Sequence, residues 1–112
     1  MTAGVLEGIR VIELAEGLAG PLACRMLAES GADVIKVETQ GGDLTRRVGP
    51  IKGDMTSLFA TINRGKRAIV LDLKQEAART ILRELIAQAD VLVENFRPGA
   101  MQRLGFGYEQ VK

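Results

Sequence analysis

The stretch from Ala89 to Gly99 constrains the fold more than any other part of this 112-residue chain. Its residues Val91, Leu92 and Val93 form a short apolar run, which is typical of a parallel strand covered on both faces. The run ends in a polar, turn-forming sequence, Glu94-Asn95-Phe96-Arg97-Pro98-Gly99. Because ligands of open α/β sheets bind beyond the carboxyl ends of the strands, this sequence is a candidate binding loop. From these residues alone, a plain turn with Phe96 in the core and Arg97 in solvent is the simpler interpretation.

Three further strands are predicted at residues 11–14, 34–38 and 68–72, where apolar and β-branched residues cluster. A turn at residues 16–21 leads into a helix that starts near Pro21 and ends at Ser30-Gly31, with Gly31 as a left-handed cap. The clearest helix covers residues 75–89, although Gln75 is a poor cap. This order predicts an α/β, Rossmann-like fold, a mainly parallel sheet of about four strands with helices on both faces. We expect the sheet core to contain Ile12, Ile35, Val70 and Leu92.

The rest of the chain is less regular. Residues 39–56 contain five of the chain's glycine and proline positions, so a long irregular loop is predicted, either a solvated loop or a flap over a ligand. A short helix is expected at Ser57–Ile62 with Ser57 as its cap, and a helical turn at 100–104. A further helix begins at Tyr108. Because the chain ends within this predicted helix, we expect residues 1–112 to be a fragment of a longer protein.

Composition excludes several classes of function. The chain is 46% hydrophobic and 26% charged with a net charge of +1, so no general nucleic-acid or membrane surface is expected. No run approaches the ~20 apolar residues of a membrane span, and no secretion signal is expected, because no basic region followed by an apolar core opens the sequence. The single cysteine, Cys24, fits a reducing cytoplasm and a buried position in a helix. With no histidine, Ser-His and Cys-His catalysis within this chain is excluded, and no metal site is expected.

A dinucleotide site is one alternative for the first strand, turn and helix. The turn has Gly17 and Gly20 but not the full G-x-G-x-x-G pattern, and Pro21 follows at once. NAD binding is therefore not favoured. A Rossmann-like lobe with no ligand of its own is a stronger alternative.

Six segments, in order along nearly the whole chain, resemble class III CoA-transferases, the family of formyl-CoA transferase, carnitine CoA-transferases and α-methylacyl-CoA racemase. The most specific is Ala89–Gly99, ADVLVENFRPG. The others are GIRVIEL at 8–14, AGP at 19–21, GADVIKVE at 31–38, NRGKR at 63–67 followed by LDLK at 71–74, and RLG at 103–105 with Tyr108. Members of this family are much longer, so the resemblance covers about their N-terminal quarter. It implies that residues 1–112 form a single N-terminal, Rossmann-like CoA-binding lobe, a fragment of a longer enzyme.

The resemblance implies that the ligand is coenzyme A or an acyl-CoA, as substrate and with no other cofactor. It implies CoA contacts at strand-end and neighbouring positions: Leu18, Ala19, Leu71, Asp72, Leu73, Lys74, Asn95, Phe96, Arg97 and Arg103. For Leu71 and Leu73 core packing is the plainer interpretation, and for Lys74 and Arg103 a solvated surface charge. Several relatives have an arginine where this chain has Thr39, and Arg46 or Arg47 is a candidate replacement.

The resemblance also implies two reactions for the complete enzyme. In the transferases an aspartate attacks the acyl-CoA thioester and forms a mixed anhydride, whereas in the racemases a His–Asp pair exchanges the proton α to the thioester carbonyl. Neither Asp72 nor Asp90 matches the catalytic motif, so no catalytic residue is assigned within this chain. The complete protein is expected to be a cytoplasmic homodimer that binds neither nucleic acid nor membrane.

Overall fold

Four parallel strands form the centre of the molecule, in the order β5-β2-β1-β6. The structure is a computed structural model that describes residues 4–53 and 55–112. The strands are β1 Arg10–Leu14, β2 Asp33–Glu38, β5 Arg67–Val70 and β6 Val91–Glu94. A small antiparallel pair, β3 Ile51–Lys52 and β4 Met55–Thr56, stands apart from this sheet. The predicted α/β architecture with a four-stranded parallel sheet is therefore confirmed.

In the part of the chain that the structure describes, five helices pack around the sheet. They are α1 Ala19–Glu29, α2 Ser57–Ile62, α3 Glu76–Ala87, α4 Ala100–Leu104 and α5 Tyr108–Val111, with a 3₁₀ helix at Leu44–Arg47. On one face of the sheet Ile12 and Ile35 pack with Leu82 of α3 and Met101 of α4. On the other face Val11 and Val34 pack with Cys24 of α1. Helices thus cover both faces, as the sequence predicts. Among the described residues no helix is both long enough and apolar enough to cross a membrane.

Three of the four expected core residues meet in neighbouring strands. Ile12 is paired with Ile35 of β2 on one side and with Leu92 of β6 on the other. The prediction for Val70 is wrong, because its side chain is 57% exposed. Val70 ends β5, the outer strand beside β2, and only Ile69 of that strand's last two residues packs against the core. Because successive side chains of a strand point to opposite faces, Val70 lies on the face opposite to Ile69, outside that core cluster.

Helix boundaries follow local sequence signals with two corrections. Helix α1 ends at Glu29, and Gly31 has φ +106°, as expected for the left-handed cap. Gln75 makes no capping hydrogen bond to α3, in agreement with its weak propensity as a cap. For α2 the cap is Thr56 rather than Ser57, since the Thr56 hydroxyl accepts from Phe59 N at 3.1 Å. The region 39–56 is also less irregular than expected, because it contains the 3₁₀ helix and the β3–β4 pair.

Candidate functional site

The ten candidate residues lie after the strands at the carboxyl edge of the sheet. Leu18 and Ala19 follow β1, residues 71–74 follow β5, residues 95–97 follow β6, and Arg103 lies in α4. Strands β5 and β6 are the two outer strands, three strand spacings of about 4.8 Å apart, so their ends are separated by about 14 Å. A single short ligand cannot contact both ends, whereas an extended one can.

Helix α4 shortens this gap. A concavity of about 470 Å³ is lined by residues after β2, residues after β5 and one residue of α4: Thr39, Gln40, Gly41, Asp72, Leu73, Lys74 and Leu104. Leu104 follows Arg103 directly, so the helix that carries Arg103 lies beside the Asp72–Lys74 segment. Three candidate residues thus line one open concavity, and a fourth adjoins it.

The segment after β5 offers its backbone and one cation. Leu71 and Leu73 are only 6% and 7% exposed and belong to the core with Leu82, which agrees with the core-packing interpretation of their side chains. Asp72 Oδ1 accepts from Lys74 N at 3.2 Å, and Asp72 O accepts from Gln75 N at 2.9 Å. These bonds shape the turn into α3 and leave Lys74 exposed at the rim of the concavity.

The side-chain amide of Asn95 is hydrogen-bonded to the backbone of Glu16. Its Nδ2 donates to Glu16 O at 2.8 Å, and its Oδ1 accepts from Glu16 N at 3.2 Å. The side chain therefore reproduces one more rung of the β1–β6 pairing and fixes the start of the turn that holds Leu18 and Ala19. Phe96 is half-buried against the core, and its N donates to Glu94 Oε2 at 2.9 Å. Neither side chain presents its full polar or aromatic surface to solvent.

Three candidate cations remain exposed at this edge. Within residues 4–53 and 55–112, the structure gives Lys74, Arg97 and Arg103 neither an ion pair nor a side-chain hydrogen bond. Gly99, with φ +86°, leaves room for the Arg103 guanidinium, since a β-carbon there would stand 2.9 Å from Arg103 Nη1. Arg103 therefore folds back toward the loop that carries Arg97. Since these three cations have no ion-pair partner among the described residues, this edge is suited to an anionic ligand.

The turn before α1 is tightly built. Gly17 has φ +89°, and a β-carbon on Gly20 would stand 2.5 Å from the Ala15 β-carbon, so only glycine fits that contact. Leu18 is 59% exposed and Ala19 is also exposed. The turn thus presents these two candidate residues to solvent on a rigid support.

A buried charge cluster lies behind this turn and was not foreseen from the sequence. It consists of Glu13, Lys36, Asp43 and Lys66, whose side chains are 0%, 1%, 0% and 2% exposed. Lys36 Nζ lies 3.0 Å from Glu13 Oε2 and 2.8 Å from Asp43 Oδ2, and Lys66 Nζ lies 2.7 Å from Glu13 Oε1. Two carboxylates and two ammonium groups alternate, so the formal charges cancel. Removal of the charge of any one member would leave an uncompensated net charge in the core.

Asp43 connects this cluster to the segment after β2. Burial acts to raise the pKa of Asp43, but the hydrogen bonds from Lys36 and from Thr45 hold it below its ordinary value. The carboxylate of the nearby Glu38 accepts from Asp43 N at 2.9 Å. It also forms a bidentate pair with Arg46, whose Nε and Nη2 donate to Oε1 and Oε2, both at 2.8 Å. Burial likewise acts to raise the pKa of Glu38, and Arg46 with the other donors lowers it. Both carboxylates are thus kept ionised, and the start of the 39–56 region is fastened to the end of β2.

A sequence signal for this cluster does exist. Glu13 and Lys36 stand inside strands that read as covered on both faces, and in the sheet the two residues are directly opposite each other. A charged residue in such a strand requires a partner of opposite sign. Opposite charges in two consecutive predicted parallel strands therefore indicate a buried pair.

The other basic residues of interest are engaged within the chain. Arg46, besides its contact with Glu38, stacks 3.7 Å from the centre of the Phe59 ring, and Arg47 Nη1 donates to Gly41 O at 2.6 Å. In the 63–67 turn, Arg64 pairs with Glu29 and Arg67 with Asp33. The two arginines that the sequence offers as replacements for an arginine at position 39, Arg46 and Arg47, thus both have partners within the chain.

The remaining reactive groups lie away from this edge. Asp90 accepts from Arg10 N at 2.9 Å at the amino ends of the strands, opposite the candidate site. Cys24 is fully buried, as expected, and burial together with the nearby Glu13 carboxylate raises the pKa of its thiol to about 11. Within the described part of the chain, no group of three or more His, Cys, Asp or Glu residues could hold a metal ion.

Comparison with known proteins gives a consistent result. The model of the family described as CoA-transferase family III matches residues 6–112. An acetyl-CoA:oxalate CoA-transferase from Acetobacter aceti is 50% identical over 109 residues, which are 96% of this chain and 28% of that protein. A formyl-CoA:oxalate CoA-transferase from Streptomyces coelicolor is 48% identical over 113 residues, 100% of this chain and 28% of that protein. The crystal structure of a CAIB/BAIF family protein from Brucella suis superimposes with a TM-score of 0.94 at 43% identity, covering 99% of this chain and 31% of that one. The chain thus spans less than a third of the length of these relatives and corresponds to their N-terminal part.

Proposed function

Because this chain belongs to CoA-transferase family III, we propose that it forms the CoA-ester-binding part of an enzyme that transfers CoA between two carboxylic acids. The observation that carries this proposal is a set of three exposed cations at the carboxyl edge that have no ion pair or side-chain hydrogen bond within the described residues: Lys74, Arg97 and Arg103. In a Rossmann-like sheet this edge is where ligands bind.

The chemistry of CoA suits this edge. CoA has a 3′-phosphate, a diphosphate, an adenine ring and a long arm with amide groups. Lys74, Arg97 and Arg103 would meet the phosphates, since charge-assisted bonds to phosphate are the strongest that such side chains make. Backbone groups at Leu18 and Ala19, and at residues 71–73, would meet the arm and the adenine. An extended ligand of this kind would bridge the distance between the ends of β5 and β6.

The reaction itself would use a carboxylate outside residues 1–112. In the transfer reaction that carboxylate attacks the thioester carbonyl carbon, the carbon–sulfur bond breaks, and CoA leaves as the thiolate. What residues 1–112 contribute is binding and orientation of the CoA moiety. We favour transfer over racemisation because the relatives reported above are named as transferases. The proposal includes a homodimeric, cytoplasmic enzyme.

Titration calorimetry of the full-length protein with CoA, at fixed salt because salt screens phosphate contacts, tests the proposal. Arg97→Ala removes a charge-assisted contact of about 1.5–3 kcal/mol, so CoA affinity should fall roughly ten- to a hundredfold. Arg103→Ala should act in the same direction. Arg83→Ala is the matched control, because Arg83 is exposed on α3 and already pairs with Glu76 at 2.9 Å.

Two results would contradict the proposal. Equal CoA affinity of the wild type and Arg97→Ala would exclude this placement of the ligand. Absence of CoA binding by the wild type would favour the alternative of a Rossmann-like lobe with no ligand of its own.

A further inference from the structure

The turn between β1 and α1 and the first residues of α1 are held at their backbone atoms by four side chains from other parts of the chain. Asn95, after β6, bonds both to Glu16 N and to Glu16 O. Asp43, after β2, accepts from Gly17 N at 3.3 Å. Lys36 donates to Ala15 O at 2.9 Å, and Lys66 donates to Pro21 O at 2.9 Å. The path of the backbone from Ala15 to Pro21 is therefore set by residues distant from it in sequence.

The two carboxylate oxygens of Asp43 contact different parts of the chain. Oδ2 has Lys36 as its only polar partner within the described residues. Oδ1 accepts from Thr45 N and Thr45 Oγ1, both at 2.8 Å, and from Gly17 N. Asp43 thus links the 39–56 region, the buried cluster and the turn through a single carboxylate.

A role in stability alone does not explain this arrangement. A buried ion pair is often no more stabilising than well-packed apolar residues, so the value of the cluster must be sought in the geometry that it enforces. That geometry is concentrated on the turn that exposes Leu18 and Ala19. Asn95 holds the same turn from the opposite side and, unlike Asp43, is exposed. Asp43 and Asn95, which follow different strands, thus both hydrogen-bond to the backbone of the same short turn.

We propose that Asp43 and Asn95 are positioning residues that clamp the Glu16–Ala19 turn in the geometry required for CoA, and that neither of them needs to touch the ligand. This inference rests on the proposed function, in which that turn contacts CoA. It assigns Asn95 a task different from the direct contact that the sequence resemblance implies. It also gives the 39–56 region a supporting task at the site, through Asp43.

Asp43→Asn and Asn95→Ala separate clamping from general stability. In Asp43→Asn the amide cannot present oxygens to both Lys36 and Gly17. Because the buried ammonium has the greater need of an acceptor, the NH₂ group should turn toward Gly17 N and Thr45 N, which are themselves donors. In Asn95→Ala, Glu16 N loses its acceptor. Each loss of about one hydrogen bond should accelerate amide exchange at residues 16–18 roughly tenfold.

The experiment combines residue-resolved amide exchange with CoA titration on the full-length protein. In both variants we expect faster exchange at residues 16–18 and CoA affinity reduced about fivefold or more. Exchange at residues 11–14 of β1 should be unchanged in Asn95→Ala. In Asp43→Asn, which also disturbs the buried charge cluster, exchange at residues 11–14 should accelerate less than exchange in the turn. Asp33→Asn and Gln88→Ala are matched controls, since these side chains lie at the amino ends of the strands, where they contact Arg10. Both controls should leave exchange in the turn and CoA affinity unchanged.

Several outcomes would overturn the inference. Unchanged exchange at residues 16–18 would do so, and so would equal acceleration in β1, which indicates only a less stable protein. If Arg97→Ala weakens CoA binding and the clamp variants do not, the clamp is wrong while the proposed function stands. If the wild type does not bind CoA, the proposed function and this inference both fail. If Asp43→Asn does not fold, Asn95→Ala, at an exposed position, decides the matter alone.

Discussion

Replacement of Lys36 by methionine should be among the most destabilising single substitutions in this chain. Methionine has nearly the length of lysine but no charge, so packing changes little while the ammonium between Glu13 and Asp43 is lost. Glu13 keeps Lys66 as a partner, whereas Asp43 Oδ2 is left without a polar partner among the described residues. Removing one member of a buried pair costs about 3–5 kcal/mol. That is a large fraction of the roughly 5–15 kcal/mol that stabilises a typical domain.

The magnitude can be checked by denaturant and thermal unfolding followed by circular dichroism. For a unit of this size, a loss of about 3 kcal/mol lowers Tm by about 10 °C or more. Arg67→Met is the matched control, because Arg67 pairs with Asp33 at 2.7 Å, as short a contact, but with side chains 65% and 39% exposed. Exposed pairs contribute about 0–1 kcal/mol, so this control should shift Tm by only a few degrees.

The pH dependence gives a second check on the same reasoning. In the wild type the pKa of Asp43 is lowered from 3.8, so its contribution to stability is complete above that pH and is lost as pH falls through the folded-state pKa. Without Lys36, burial should dominate and raise the pKa of Asp43 above its unfolded value. The variant should then gain stability as pH falls from 7 toward about 4, and its deficit relative to the wild type should shrink.

Adding Asp43→Asn to Lys36→Met removes the uncompensated carboxylate, so the double variant should recover part of the lost stability at neutral pH. The reasoning is refuted if Lys36→Met costs no more than Arg67→Met. It is refuted equally if the deficit is the same at pH 7 and pH 4, because an uncompensated buried carboxylate must titrate.

Three further predictions concern other parts of the chain. Gly31→Ala should lower the free energy of unfolding by about 1–2 kcal/mol in denaturant unfolding, because φ is +106° and a β-carbon would stand 2.9 Å from Gly4 Cα. Gly41→Ala should cost much less, since φ is not positive there and a β-carbon would meet nothing within 4 Å. Cys24, fully buried with a pKa of about 11, should react with a thiol reagent at pH 7 at least a hundredfold more slowly in the native than in the denatured protein, and equal rates would contradict the burial. Residues 1–112 alone should not exchange labelled CoA between two acids, since no catalytic carboxylate is assigned to them, and measurable exchange by the purified chain would show that assignment to be wrong.

Much of the fold follows from local patterns. The apolar runs at 11–14, 34–38 and 91–93 indicate strands, the spacing in 75–89 indicates a helix, and Gly31 marks the end of α1. Each of these signals acts between residues close in sequence, where backbone propensity and the burial of one face decide the outcome. The position of the candidate residues at the carboxyl edge follows as well, because parallel strands place all their ends on the same side.

Other features depend on which strands become neighbours, and only the tertiary structure determines these. Val70 lies in β5, an outer strand of the order β5-β2-β1-β6, on the face opposite to Ile69, and it is 57% exposed although its sequence resembles that of a core strand. The same order puts Glu13 opposite Lys36 and allows Asp43 and Lys66, distant in sequence, to complete the buried cluster.

Asn95 shows most clearly which features the sequence indicates and which ones only strand pairing determines. Its sequence position indicates a polar side chain at a binding edge, and the structure shows that this side chain is hydrogen-bonded to Glu16, 79 residues earlier in the chain. An isolated motif contains the donor and acceptor of an amide but not the partner that will satisfy them. That partner is determined only when the strands pair, because strand pairing alone brings the backbone of Glu16 within hydrogen-bonding distance of Asn95.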